Sequence, residues 1–118
     1  MITVKNMAAQ GDVLFRRASG IPADARERPR TGPLVVAHSE TGHHHVVDSP
    51  AARLFATPDP FVCYLKLETA FVDVVHERSF HTHETLRLLG EEHGPSYFEV
   101  RRQRESSAGA EGWYEAGD

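Results

Sequence analysis

The chain has 118 residues, of which 40% are hydrophobic and 25% are charged, and its formal net charge is −4 at neutral pH. This length suffices for one domain with its own core, without disulfides to hold it together. An acidic chain has no basic excess with which to bind nucleic acid or an anionic membrane surface. The charge therefore argues against a general role in binding nucleic acid or a membrane surface.

The amino-terminal residues and the single cysteine bear on the cellular compartment. Residues 1–5 lack the hydrophobic region of a signal peptide, and no apolar run approaches the length that spans a membrane. Cys63 is the only cysteine, and it lies in the apolar run FVCYL, which predicts a buried, reduced thiol. Both observations predict a cytoplasmic protein.

Taken in order, the chain opens with residues 1–9, which carry no strong pattern and are predicted as a loose lead. Residues 10–105 then alternate short β-prone runs with turn residues such as glycine, proline and aspartate. The runs occupy residues 13–17, 34–37, 43–47, 52–56, 61–67, 70–76, a stretch that starts near residue 80, and residues 97–101. Helical periodicity never extends beyond two turns. The pattern predicts a single all-β domain, a small barrel or sandwich of about seven or eight short strands.

Alternation within these runs assigns side chains to faces of a sheet, because successive residues of a strand point to opposite sides. Val72, Val74 and His76 share one face of their run, and β-branched residues on both of its faces favour a central strand. In the last run, Phe98 and Val100 face inward. Residues 34–37 and 43–47, joined by a glycine-containing turn, are predicted to form a hairpin.

The composition changes after residue 105 to serine, alanine, glycine and acidic residues, which cannot bury enough apolar surface to become ordered. Residues 106–118 are therefore predicted as a flexible acidic tail. Trp113 and Tyr114 stand alone in that tail and are candidates for a docking patch.

The most informative pattern is the grouping of five of the eight histidines into two His-X-His units. In an extended segment, residues i and i+2 point to the same face, so His43 and His45 would converge, as would His81 and His83. Two adjacent strands could therefore offer three or four imidazoles on one face. Glu84 would point to the opposite face, and it becomes a ligand or a general base only if a bulge re-aims it.

Such a constellation predicts a site for a divalent metal, zinc or another transition metal, which binds neutral imidazole nitrogens at about 2.0–2.1 Å. His76 and His93 are outlying candidates, and Asp73 or Glu40 could orient the ligands. The alternatives are a solvated or structural histidine cluster and a pH-sensitive interface. No organic cofactor is indicated, because the chain has no glycine-rich phosphate loop.

Three segments carry a resemblance that covers most of the chain: QGDV at residues 10–13, TGHHHVV at residues 41–47 and YFEVRRQRE at residues 97–105. Together they resemble a group of small bacterial proteins of unassigned function. Members of that group share a QGDV opening, a TGHxH segment and an ending like YxVxRQRE. The resemblance implies one compact β domain, draws attention to the histidine segment, and implies no activity.

The run GHHH at residues 42–45 is also similar to the start of the cupin motif, in which glycine and His-X-His are followed by glutamate. Asp48 and Ser49 stand where that glutamate would follow, and Leu86 and Arg87 occupy the corresponding positions after the second unit. The cupin comparison therefore remains an analogy of architecture.

Three functions are consistent with these patterns. The first is a divalent-metal-binding β domain that uses the two histidine units. The second is a non-enzymatic module that binds protein or nucleic acid through the arginine-rich residues 101–104 and the tail. The third is a cupin-like enzyme whose metal acts as a Lewis acid. The sequence assigns no catalytic residue, leaves the partner as an unidentified small molecule or protein, and is compatible with a homo-oligomer.

Overall fold

The computed structural model describes residues 1–37, 44–76 and 84–102. Within these ranges the protein is all-β, as the sequence predicts. Its eleven described strands are β1 (Ile2–Val4), β2 (Met7–Gln10), β3 (Val13–Ala18), β4 (Arg26–Glu27), β5 (Leu34–Ala37), β6 (His45–Val47), β7 (Ala52–Ala56), β8 (Val62–Leu67), β9 (Phe71–His76), β10 (Leu86–Leu89) and β11 (Ser96–Arg102).

The strands form two sheets that face each other as a sandwich. The first sheet has the order β1-β10-β9-β6-β5, and the second has the order β2-β3-β11-β8-β7-β4. Adjacent strands in the described part of each sheet are antiparallel, except that β1 runs parallel to β10. Of the two predicted architectures, the protein therefore adopts the sandwich, and β5 and β6 form the expected antiparallel pair.

The core consists of apolar side chains that both sheets direct into the space between them. Burial follows the predicted alternation, with Val72, Val74 and His76 inside on β9 and Phe98 and Val100 inside on β11. The largest fully buried apolar side chains are Phe15, Phe98, Leu65, Leu67, Leu86 and Leu88.

The number of strands exceeds the predicted seven or eight because short edge strands escape sequence patterns. Residues 1–9 were predicted as a loose lead but instead contribute β1 and β2. Val4 is only 2% exposed, and β1 is the edge strand of its sheet, where it pairs in parallel with β10. Three or four residues are too few to show a period, so the partner strand is what makes these segments extended.

The last strand lies in a setting that the sequence did not predict. The sequence offers the arginine-rich residues 101–104 as a binding segment, yet β11, which contains Arg101 and Arg102, lies in the interior of its sheet, between β3 and β8. Arg101 approaches Glu99 at 3.4 Å, and Arg102 approaches Asp12 at 3.6 Å. The two arginines therefore point to opposite faces and meet carboxylates of this chain, which reduces their availability for an acidic partner.

Residues 103–118 lie outside the described residues, and with them the predicted tail, Trp113 and Tyr114. The part of the chain that is described contains no helix long and apolar enough to cross a membrane.

Gly90 follows β10 and provides a stability test of this fold. Its N–H donates to the carbonyl of Ala70 at 2.7 Å, and a Cβ added at Gly90 would lie 2.0 Å from the carbonyl oxygen of Thr69. Because backbone cannot move aside as a side chain can, Gly90→Ala is expected to lower the free energy of unfolding by at least about 2 kcal/mol. Gly20→Ala is the control, since no described atom lies within 4 Å of its added Cβ. Equal urea midpoints for the two variants would contradict this packing.

Candidate functional site

The site begins with two histidines that pair across neighbouring strands. His45 opens β6 and His76 ends β9, and the register of the two strands places them opposite each other. Their rings stack with centroids 4.1 Å apart and planes 9° from parallel. His45 is fully buried and His76 is 6% exposed, because alternation directs both side chains to the core face with Val47 and Val74.

Gln10, the last residue of β2, fixes the chemistry of His45 from the opposite sheet. Its amide nitrogen Nε2 donates to the carbonyls of Val74 at 2.9 Å and Glu84 at 3.0 Å. Both partners can only accept, so the amide oxygen Oε1 must face His45 Nδ1, which lies 2.8 Å away. His45 Nδ1 therefore carries a hydrogen, and Nε2 is the nitrogen that remains available.

The available nitrogen of His45 faces a carboxylate. His45 Nε2 lies 3.6 Å from Asp12 Oδ1, and the other oxygen, Oδ2, lies 3.6 Å from Arg102 Nε. A hydrogen bond that His45 Nε2 donates when the imidazole is protonated lowers the pKa of Asp12, with a further contribution from Arg102, although partial burial acts in the opposite direction. Asp12 is thus a half-exposed carboxylate between a buried imidazole and a guanidinium.

Gly11 makes this arrangement possible, because it is the first residue of the two-residue turn between β2 and β3. Its φ of +60° belongs to the left-handed region that favours glycine. An added Cβ would lie 3.2 Å from Cε1 of His76 and 3.6 Å from Cε1 of His45. The turn therefore passes close against the stacked rings, with Gln10 on one side of Gly11 and Asp12 on the other.

The predicted ligands are placed as follows. His45 lies at the centre of this cluster, whereas His43, His81 and His83 lie outside the described residues. The Glu84 carboxylate contacts the amino group of Met1 and is 58% exposed, and only the backbone carbonyl of Glu84 takes part in the cluster, through Gln10. Among the described residues, no group of three or more metal-ligating side chains is found together.

The outlying candidates divide between the site and the surface. His76 lies at the site as the stacking partner of His45, while His93 is exposed. Asp73 pairs with Arg87 through two hydrogen bonds of 2.9 and 3.0 Å and takes no part in the cluster. Glu40 lies outside the described residues.

The described residues on either side of the remaining predicted ligands lie in this region of the sandwich. Residues 38–43 connect β5 to His44, and Ala37 at the end of β5 pairs with His45. Residues 77–83 connect His76 to Glu84, whose carbonyl is bound by Gln10. The described ends of both connections therefore lie near the stacked pair.

Sequence reasoning missed Gln10 and Asp12 as members of the site and treated them as turn residues before a strand. The available signal was the segment QGDV, which the resemblance singled out without assigning it a role. In the structure, Gln10 and Asp12 of that segment contact the two nitrogens of the same imidazole.

A groove of about 600 Å³ adjoins the cluster and opens between the two sheets. Its apolar walls come from β5, β7 and β8, and Arg28, Arg30 and Arg102 line it together with residues 57–63. Arg102 belongs both to the groove and to the contact with Asp12. The groove and the histidine cluster are therefore neighbours that share one side chain.

Cys63 lines this groove and was predicted to be buried and reduced. It is partly exposed, and its Sγ donates to the carbonyl of Val36 at 3.4 Å. Burial raises the pKa of the thiol to about 12, although the nearby positive charge of Arg28 acts in the opposite direction. The thiol is therefore protonated at neutral pH and is a weak nucleophile.

The first prediction for the site concerns Gln10. Gln10→Met keeps the length of the side chain but leaves His45 Nδ1 and the carbonyls of Val74 and Glu84 without their partner. We expect the free energy of unfolding to fall by about 2–4 kcal/mol, because unsatisfied buried polar groups are costly. The control is Lys66→Met on the outer face of β8, which should change the free energy of unfolding by less than about 0.5 kcal/mol. Chemical denaturation measures this free energy for both variants, and an equally small decrease in the two would contradict a buried Gln10 network.

The second prediction concerns the reactivity of Cys63. Because the folded pKa is about 12, alkylation by iodoacetamide at pH 8 should be at least about tenfold slower in the folded protein than in urea. The folded rate should rise with pH between 8 and 11, since the thiolate fraction grows as the pH approaches the pKa. A folded rate that levels off near pH 9 would show an ordinary thiol.

Comparison with known protein families matches most of the described chain to a single domain family. The family described as "Domain of unknown function (DUF8820)" matches residues 9–103, a range that contains Gln10, Asp12, His45 and His76. Searches of curated proteins and of solved structures found no match. The match covers most of the 118 residues, and the chain therefore belongs to the DUF8820 family of domains of unknown function.

Proposed function

We propose that this domain binds a divalent transition metal, with zinc the best-suited ion, at a site anchored by His45 Nε2 and the carboxylate of Asp12. The observation that carries the proposal is the commitment of His45 Nδ1 to Gln10, which leaves Nε2 directed at a carboxylate. Two or more of His43, His81 and His83 supply the further ligands. Glu84 is omitted, because its carboxylate pairs with Met1.

The separation of the two anchoring atoms suits a shared ion. His45 Nε2 and Asp12 Oδ1 are 3.6 Å apart, which is longer than a normal hydrogen bond. Two ligands bound to one tetrahedral zinc at about 2.0–2.2 Å lie roughly 3.3–3.6 Å from each other. The distance between the two atoms therefore matches the separation of two ligands of one zinc ion.

The charge balance of the cluster also favours a cation. A neutral His45 with hydrogen on Nδ1 presents a lone pair at Nε2 to an acceptor oxygen of Asp12, which is repulsive. Either a proton or a metal ion between the two atoms removes that repulsion. Protons compete for the same position, so metal affinity should fall as the solution is made more acidic.

Gln10 has the role that a supporting residue has around a protein-bound metal. A ligating imidazole usually donates its other N–H to a carbonyl or carboxylate, which fixes the tautomer and the direction of the ring. The Gln10 amide oxygen is such a partner, and the amide is itself held by two backbone carbonyls. The support for His45 is thus rigid before any ion arrives.

The remaining ligands are proposed on connectivity. His43 is two residues before His45, and His83 is one residue before Glu84, whose backbone belongs to the Gln10 network. Two or more of His43, His81 and His83 would complete a coordination number of four with His45 and Asp12. The competing function is a purely structural role, in which a proton links His45 to Asp12 and the stacked rings only brace the sandwich.

The test is elemental analysis of untagged protein, combined with melting curves before and after chelation. We expect about one zinc per chain and a melting temperature that falls when a chelator removes it, because the ion binds the folded state alone. Asp12→Asn should weaken zinc binding by at least about tenfold while it preserves side-chain shape. Asp73→Asn is the matched control, as Asp73 is also partly exposed but pairs with Arg87.

Substitution of His43, His81 or His83 by alanine distinguishes the ligands one at a time, with His93→Ala as the exposed control. If the purified protein contains no metal and added zinc does not change its melting temperature, the metal site is excluded and the structural role remains.

A further inference from the structure

We propose that the groove beside the histidine cluster binds a small organic anion that has an apolar body and a carboxylate head. The proposal concerns a different surface from the metal site and does not require a metal at His45. It is based on the shape of the groove, on its charge, and on the position of Arg102 between the groove and Asp12.

The groove opens beside β5, at one edge of the sandwich. β5 is the edge strand of the first sheet and packs across β11 and β7 of the second. The space between the sheets beyond this edge is open, and its walls include Leu34 and Val36 from β5 and Leu54 and Val62 from the opposite sheet. A volume of about 600 Å³ lies in the range of pockets that hold small molecules, roughly 300–1,000 Å³.

The charge of the groove is opposite to that of the chain. Three arginines line it and Asp59 is the one acidic residue among its described lining, although the whole chain carries a net charge of −4. The Asp59 carboxylate accepts a hydrogen bond of 2.9 Å from the backbone of Phe61, within its own turn. An apolar cleft with an excess of positive charge favours an amphipathic anion over a neutral or cationic ligand.

Two of the arginines keep their charge uncompensated within the described part of the chain. Arg30 is held in place by backbone carbonyls, at 2.9 Å for Gly32 and 2.8 Å for Ala52, and carbonyls position a guanidinium without neutralising it. No described carboxylate lies within ion-pair distance of Arg28 or Arg30. A carboxylate is a suitable partner, because a guanidinium can bind it through two parallel hydrogen bonds.

Arg102 connects an occupant of the groove to the histidine cluster. Its guanidinium carbon lies 5.9 Å from the centre of the Phe61 ring, and its Nε approaches Asp12 at 3.6 Å. A carboxylate in the groove would compete with Asp12 for Arg102. Ligand binding is therefore expected to perturb the surroundings of His45 as well as the groove itself.

The experiment is an NMR titration of ¹⁵N-labelled protein, as purified, with octanoate. We expect saturable shifts at residues 34–37, 54–63 and 102, with smaller shifts at Asp12 and His45. 1-Octanol supplies the same apolar body without the charge, and inorganic phosphate supplies negative charge without the apolar body. Both should bind at least about tenfold more weakly than octanoate if charge and apolar contact act together.

Two substitutions test the groove separately from the overall fold. Arg28→Gln removes one charge from the rim and should weaken octanoate binding by roughly fivefold to tenfold. Ala56→Trp fills part of the groove from β7 and should reduce binding further. The control is Arg53→Gln, on the same strand but outside the groove, where Arg53 pairs with Glu27 at 3.0 Å.

Cys63 provides a second readout that needs no assigned spectrum. Because its thiol lines the groove, saturating octanoate should slow its alkylation at pH 10 at least about threefold. Octanoate shifts that fall elsewhere, equal binding by octanol or phosphate, or an Arg28→Gln variant that binds as the parent does would each overturn the proposal.

Discussion

The hydrogen bond between Gln10 and His45 is the interaction on which the arrangement of this domain depends. It joins residues 35 positions apart in sequence and bridges the two sheets, since Gln10 ends β2 and His45 begins β6. The same amide binds the carbonyls of Val74 and Glu84, so that one side chain connects β2 to β6, to β9 and to the residues just before β10. In a low-dielectric core such a network stabilises the fold only when every member is satisfied.

The directions of the neighbouring groups follow from that bond. With Nδ1 engaged, the other nitrogen of His45 points to Asp12, and Asp12 in turn faces Arg102 at the groove. A chain of contacts thus runs from the buried His45 through the half-exposed carboxylate of Asp12 to Arg102, which lines the groove between the sheets. A cation at the histidine and an anion in the groove are complementary, because Asp12 and Arg102 lie between them with opposite charges. The two proposals are physically compatible, and each stands on separate contacts.

Much of the fold could be predicted from alternation, but the assignment of strands to sheets could not. The runs 61–67 and 70–76 were predicted as strands, and they appear as β8 and β9. Only a short connection separates them, yet β8 belongs to the second sheet and β9 to the first. The two-residue period determines which side chains of each strand share a face. It is the same whether the next strand pairs with that strand in one sheet or belongs to the opposite sheet, so it cannot assign strands to sheets.

The candidate site divides in the same way. The sequence by itself determined an all-β domain, the inward face of β9 with His76, and the choice of His45 as a candidate site residue, because these depend on local alternation and composition. The tertiary structure alone decided that His45 stacks on His76, that Gln10 and Asp12 contact its two nitrogens, and that Arg102 extends the cluster to a groove. Those contacts join segments up to 90 positions apart, and no local period encodes a distance between residues that meet only when two sheets close over a common core.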